Sequence, residues 1–185
     1  MEIEGVLLTG GASRRMGADK AHLNVDGQPL AERIANGILS YCSKVTVLGN
    51  EAIAGCEFLA DADQFAGPLA ALSRFTPTSG LIFVASCDLP RFDGRLIPYF
   101  AHLLNGAQGV LPHNDGHVQP LCSIYTSGAW SHLQAAVSEG KKSLMAWLER
   151  IQYRTVTPEE LAQAGLDPRA FQGANSPEEL AQLLK

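Results

Sequence analysis

Short apolar, β-rich runs alternate with longer stretches of helical periodicity along almost the whole chain, and this alternation most restricts the fold. Strands are expected at Ile3–Leu8, Lys44–Leu48, Glu57–Leu59, Leu81–Ser86, Gln108–Leu111, Gln119–Tyr125 and Gln152–Val156. Between them, Pro29–Tyr41 carries Leu30, Ile34, Ile38 and Leu39 at helical spacing, with Pro29 suited to a first turn. Further helices are expected at Pro68–Phe75, Leu96–Leu104, Ala129–Val137, Leu144–Ile151 and Ser176–Leu184. The last has a Ser N-cap, Pro at the first position and Glu at the third. Strands separated by helices form a mostly parallel sheet that needs cover on both faces. The Gln119–Tyr125 run differs, because no helix precedes it. "LPHNDGHVQPL" reads as a turn joining two antiparallel strands. The expectation is an α/β fold: a mostly parallel central sheet, helices on both faces and a short antiparallel addition. At 185 residues without linker, repeat or low-complexity tract, residues 1–185 read as a single domain.

Charge narrows the function classes. The net charge of −5 argues against a general nucleic-acid or anionic-membrane surface, so any site for a phosphorylated ligand must be a local cluster of cations. The N-terminus has no basic region followed by a long apolar one, and no apolar run approaches a membrane span. The four cysteines, Cys42, Cys56, Cys87 and Cys122, form no C-x-x-C pair, which reads as thiols in a reducing cytoplasm.

Three constellations carry chemistry. The first is "LLTGGASRRMGADK", Leu7 through Lys20, directly after the first strand. A glycine-rich turn there exposes backbone N–H groups to phosphate oxygens, and Gly10 and Gly11 let the chain approach a ligand closely. It is neither a P-loop nor a dinucleotide fingerprint, since it lacks both G-K-[ST] and G-x-G-x-x-G. Its cations are Arg14, Arg15 and Lys20; a solvated loop whose glycines only serve the turn is the alternative. The second is "VASCDLP", where Asp88 ends an apolar strand at the sheet edge that binds ligands in open α/β folds. A hard divalent cation suits that carboxylate, although Asp88 read alone serves equally well as a cap for the following turn. The third is "DADQFAGPLAAL", in which Asp61 and Asp63 precede a Gly67-Pro68 turn into a helix; a loop of turn formers explains it locally.

Together the motifs are more specific. L-x-G-G-x-S-x-R-M-G-x-D-K from Leu8 to Lys20, then G-P-L at Gly67, C-D-x-P at Cys87, Q-P-L at Gln119 and N-S-P-E-E-L at Asn175 resemble the molybdenum cofactor guanylyltransferases. These are nucleotidyltransferases with a Rossmann-like fold, and the resemblance covers nearly the whole chain in the family's order. It implies that Leu8, Thr9 and Gly10 lie against guanine and ribose, and that Arg15 and Lys20 hold the triphosphate. It further implies that Asp61 accepts from the guanine N1–H and exocyclic amine, that Asp88 is the ligand of Mg²⁺, and that Asn175 and Gln119 lie near the second substrate. Three positions depart from the family pattern: Gly173 for the first Asn of Asn-x-Asn, Thr9 for a common alanine, and Leu48 for a nucleotide-contacting asparagine.

The implied reaction is attack by the phosphate of molybdopterin, with or without its molybdenum, on the α-phosphorus of GTP, releasing pyrophosphate. A phosphate monoester is already anionic at neutral pH, so no strong general base is required. Arg14 is expected to face solvent, Asp19 to orient Lys20, and the five histidines to supply no base. Lys141 and Lys142 read as a solvated pair. Molybdoenzyme apoproteins or their chaperones are the implied downstream partners. A cytidylyltransferase for molybdopterin, a guanylyltransferase for cobinamide phosphate and a non-catalytic nucleotide scaffold are the alternatives. Gly10, where cytidylyltransferases usually read alanine, leaves room for a purine.

Overall fold

The computed structural model describes residues 2–10, 24–25, 27–61 and 67–185. In chain order the elements are β1 (Ile3–Leu8), β2 (Asn24–Val25), β3 (Gln28–Pro29), α1 (Leu30–Leu39), β4 (Val45–Gly49), β5 (Glu57–Ala60) and α2 (Gly67–Ser73). They continue as β6 (Leu81–Ser86), α3 (Leu96–Leu103), β7 (Gly109–Asn114), β8 (His117–Val118), β9 (Cys122–Thr126) and α4 (Ser127–Ser138). The chain closes with α5 (Leu144–Leu148), β10 (Tyr153–Val156), α6 (Pro158–Gln163) and α7 (Pro177–Leu183).

One sheet runs β10-β7-β9-β6-β1-β4-β5, with β8 on the edge of β7, and β2 pairs with β3 in a small antiparallel sheet. The β1–β4, β1–β6, β4–β5 and β7–β10 pairs are parallel, while β9 runs antiparallel to both β6 and β7. The mostly parallel sheet and its antiparallel addition are therefore as expected. The alternation of the central strands sorts their side chains onto two faces. Leu7, Leu81, Phe83 and Ala85 point to one core with Ile34 and Ile38 of α1, Phe100 of α3 and Leu161 of α6. Val6, Leu8, Ile82 and Val84 point to the other, with Leu69 of α2, Trp130 of α4 and Trp147 of α5. In that second core the Tyr125 ring lies 4.5 Å from Trp147. Both indoles are satisfied, Trp130 donating to Phe75 O at 3.0 Å and Trp147 to Ala129 O at 2.9 Å.

Of the expected strand Gln119–Tyr125 only Cys122 onward is strand, in β9, while Gln119, Pro120 and Leu121 form a bend after β8. Pro120 has no N–H to give a ladder, so the chain bends there. The bend is pinned from β9: the Ser123 hydroxyl donates to Gln119 O at 2.6 Å and the Tyr125 hydroxyl to Pro120 O at 2.9 Å. The β7–β8 turn is two residues long, with Asp115 at φ 50° and Gly116 at φ 81°, the pattern of a type I′ hairpin. Helix α6 was not expected, although Thr157-Pro158-Glu159-Glu160 forms a full capping box.

A buried glutamate fixes the amino-terminal edge of the sheet. Glu4 on β1 is fully buried and accepts from Thr78 N at 2.6 Å, Thr78 Oγ1 at 3.0 Å and Ser79 N at 2.8 Å, with Lys44 Nζ at 3.5 Å. These bonds hold the segment that leads into β6, and hence the strand that leads to Asp88. Glu4→Ala removes the charged acceptor of two backbone donors, at exposed Thr78 and half-buried Ser79, and should cost about 1–3 kcal/mol. Urea unfolding should show the loss, with Glu4→Gln keeping part of it; wild-type stability in Glu4→Ala would remove the carboxylate from this role.

Candidate active site

The register of β1 sets the site. Leu8 stands beside Leu48 on β4 and Ser86 on β6, so three strands end level. Thr9 N then donates to Leu48 O at 2.9 Å, Gly10 N to the same oxygen at 3.3 Å, and Cys87 N to Leu8 O at 3.0 Å. Asp61, one residue past β5, donates its N–H to Gly49 O at 2.9 Å. Leu8, Thr9, Gly10, Asp61 and Asp88 thus share the carboxyl edge of the parallel strands, where α/β sheets bind ligands.

Close backbone approach explains two glycines. A Cβ on Gly10 would overlap Asp61 Oδ2 and lie 3.2 Å from the Gly49 Cα, so the carboxylate rests directly on the Gly10 backbone. A Cβ on Gly49 would overlap the Thr9 hydroxyl and come within 2.8 Å of Gly10 N. Gly49 was not among the expected site residues, because a glycine at a strand end carries no chemical signal of its own. Leu48 packs its side chain into the core and reaches the site only through its carbonyl, which also accepts from the Thr9 hydroxyl at 3.4 Å.

Asp88 is oriented from two sides. The Ser86 hydroxyl donates to its Oδ1 at 2.6 Å, and its main-chain oxygen accepts from Ala174 N at 2.9 Å. The second bond docks the C-terminal segment on the end of β6. A Cβ on Gly173 would stand 3.4 Å from the Asp88 Oδ1, in ordinary contact, so this glycine lies directly beside the carboxylate. Ala170 and Phe171 anchor the segment in the first core, and Ala174 is buried as well. Arg91, three residues past Asp88, binds the Asp167 carboxylate and donates to Leu183 O at 3.0 Å, tying both ends of the segment to the Asp88 loop. Asn175 gives its main-chain N–H to Glu179 Oε2 at 2.6 Å at the start of α7. The nearby Cys122 thiol is pushed well above its ordinary range, first by burial and then by the Asp88 charge, which keeps it protonated.

A groove of about 600 Å³ opens between the β7–β8 hairpin and this segment. Asn114, His117 and Gln119 line one wall, and Arg169, Gln172 and Gly173 the other. Gln119 therefore reaches the site through the pinned Pro120 bend. Arg91, Arg169 and Gln172 were not expected, since they matter only once segments far apart in sequence meet. Gly11, Arg14, Arg15, Asp19, Lys20 and Asp63 lie outside the described residues.

The donor set suits a hard cation. Among the described residues no group of three or more His, Cys, Asp or Glu could hold a metal ion. The Asp88 carboxylate beside Gly173 fits a hard divalent cation, which such sites hold through one or two carboxylates together with substrate phosphates.

Residues 5–156 match the family model described as the MobA-like NTP transferase domain. The chain belongs to that family. It is a nucleotidyltransferase. A Bacillus subtilis protein named "Probable molybdenum cofactor guanylyltransferase" is 32% identical over 99% of this chain and 95% of its own length. The molybdenum cofactor guanylyltransferase of Burkholderia vietnamiensis is 30% identical over 99% of this chain and 96% of its own. Among solved structures, the molybdopterin-guanine dinucleotide biosynthesis protein A of Archaeoglobus fulgidus superposes with a TM-score of 0.80 at 20% identity, covering 97% of this chain and 96% of that one. A 2-C-methyl-D-erythritol 4-phosphate cytidylyltransferase from Thermus thermophilus also superposes, with a TM-score of 0.69 at 16% identity over 99% of this chain and 97% of its own. Purine and pyrimidine transferases therefore share this fold, and side chains must separate them. No helix among the described residues of this nucleotidyltransferase is long and apolar enough to cross a membrane.

The Gly10–Asp61 contact makes a test of the transferase site. Gly10→Ala should displace the Asp61 carboxylate while leaving the fold intact, because the flexible side chain yields before the backbone does. Nucleotide affinity should fall about tenfold or more by calorimetry, with a melting temperature within a few degrees of wild type. Unchanged affinity would show that ligand does not use this contact.

Proposed function

We propose that the chain transfers GMP from GTP to the phosphate of molybdopterin, free or carrying molybdenum, to give molybdopterin guanine dinucleotide and pyrophosphate. The observation that carries this reading is the placement of two carboxylates, Asp61 on the Gly10 backbone and Asp88 beside Gly173, on one sheet edge next to a polar groove. The names of the full-length relatives support the same reaction.

The acceptor phosphate oxygen attacks the α-phosphorus, a new P–O bond forms, and the bond to the β-phosphate oxygen breaks with its electrons leaving on pyrophosphate. The phosphate is anionic already, so the chain needs to align the partners and neutralise charge. Asp61 accepts from guanine N1–H and N2–H together, while Thr9 and Gly10 present backbone to the nucleoside. Arg15 and Lys20 meet the triphosphate. Asp88 and the substrate oxygens would hold Mg²⁺, which supplies Lewis-acid neutralisation of phosphate charge. Ser86 and the docked Ala174 N–H keep the Asp88 loop in position. Gln119 and Asn175 border the acceptor. The reaction belongs to the cytoplasm, within a single domain, and its product passes to molybdoenzyme apoproteins or their chaperones.

The test is a nucleotide panel with Mg²⁺ and molybdopterin, reading the dinucleotide by mass. GTP should exceed ATP and CTP by about a hundredfold, since a carboxylate covered by a base that offers it no donors rejects that base. Asp61→Ala should erase most of that preference, and Asp88→Ala should lower turnover by about a hundredfold or more with every nucleotide. Equal use of CTP by wild type would favour cytidylyl transfer instead, and unchanged selectivity in Asp61→Ala would take that residue out of base recognition.

A further inference from the structure

Arg169 differs from the other described arginines that face carboxylates. Arg95 and Arg150 are each held by two short hydrogen bonds to Asp93 and Glu139, and Arg154 bonds Glu160 at 3.0 Å. Arg91 takes the Asp167 Oδ2. What remains for Arg169 among the described residues is a contact of 4.0 Å from its Nε to Asp167 Oδ1, too long for a hydrogen bond. The same Oδ1 accepts from the Arg169 main-chain N at 2.8 Å. Asp167 thus fixes the backbone at position 169 and meets the guanidinium only at ion-pair distance, leaving it without a side-chain hydrogen bond among the described residues, on the groove wall four residues before Gly173.

The groove needs such a charge. It opens in a chain of net charge −5, beside the Asp88 carboxylate, with Asp115 and Glu179 also on its lining. A phosphate monoester carrying close to two negative charges would be repelled there without a cation. A guanidinium presents a planar fork that matches phosphate oxygens two at a time. We infer that Arg169 is the acceptor-binding residue, gripping the phosphate monoester of the second substrate in the groove, with Arg91 and Asp167 as positioning residues. This rests on the transferase reading above for the identity of the acceptor. Nucleotide and acceptor then have separate anchors: Asp61 and the opening loop for the one, Arg169 for the other.

The split is measurable. In steady-state assays Arg169→Ala should raise KM for molybdopterin about tenfold to a hundredfold, the usual loss on removing a charged hydrogen-bond partner, with KM for GTP within about twofold. Arg169→Lys, which keeps the charge but not the fork, should fall between. An unchanged KM for molybdopterin, or equal rises for both substrates, overturns the assignment. A second arm needs no turnover: binding of molybdopterin without GTP, followed by its pterin fluorescence polarisation. Binding at least about tenfold weaker in Arg169→Ala supports the inference, and equal binding, or none by wild type, overturns it. Tight binding by wild type without any dinucleotide product would defeat the transferase reading while leaving the Arg169 site standing. Arg169→Ala should melt close to wild type, since the half-exposed side chain makes no hydrogen bond among the described residues.

Discussion

The site depends on the register of β1 between β4 and β6. Leu8 pairs level with Leu48 and Ser86, so the chain leaves all three strands at one height. The hydrogen bonds from Thr9 and Gly10 to Leu48 O, and from Cys87 to Leu8 O, then bind the three exits together. A slip of one residue would turn Leu7 and Leu8 to the opposite cores and separate Gly10 from Asp61. The cores on both faces make that slip costly, and Glu4 locks the far end of the same strand. Packing and site geometry are thus one constraint acting through one strand.

The C-terminal segment adds a second level. Ala170 and Phe171 bury themselves in the first core and the buried Ala174 bonds Asp88 O, which brings Gly173 against Asp88 and raises a wall of the groove. Burial of the Phe171 ring contributes about 2 kcal/mol to that docking. Arg91 reinforces it by reaching from the Asp88 loop to Asp167 and Leu183. On the other side, Ser123 and Tyr125 pin the Gln119–Pro120 bend. One wall is therefore held by β9 and the other by the loop that follows β6.

Much of this was legible in the sequence, for physical reasons. Apolar runs such as Leu81–Ala85 announce a strand buried on both faces, and a carboxylate just past such a run, as at Asp88, points to the ligand edge. The Asp115-Gly116 turn was visible because only a few residues tolerate positive φ. Other features were not legible. The two-residue strands β2 and β3 are too short to show periodicity. Helix α6 carried a cap signal as good as that of α7, yet six residues hold too little pattern to stand out. Gly49, Gln172 and Arg169 gain meaning only from neighbours remote in sequence. The single expected strand Gln119–Tyr125 failed at Pro120, where missing N–H chemistry outweighed a favourable apolar pattern.

The account's central claim is that this edge transfers the nucleotidyl group, and the fate of individual phosphates tests it most directly. Wild-type protein with Mg²⁺ and molybdopterin would be given GTP labelled at the α-phosphate in one reaction and at the γ-phosphate in another. The account predicts α-label in the dinucleotide and γ-label in pyrophosphate. Label from the γ-phosphate on the pterin, or its release as inorganic phosphate with no dinucleotide formed, would contradict it.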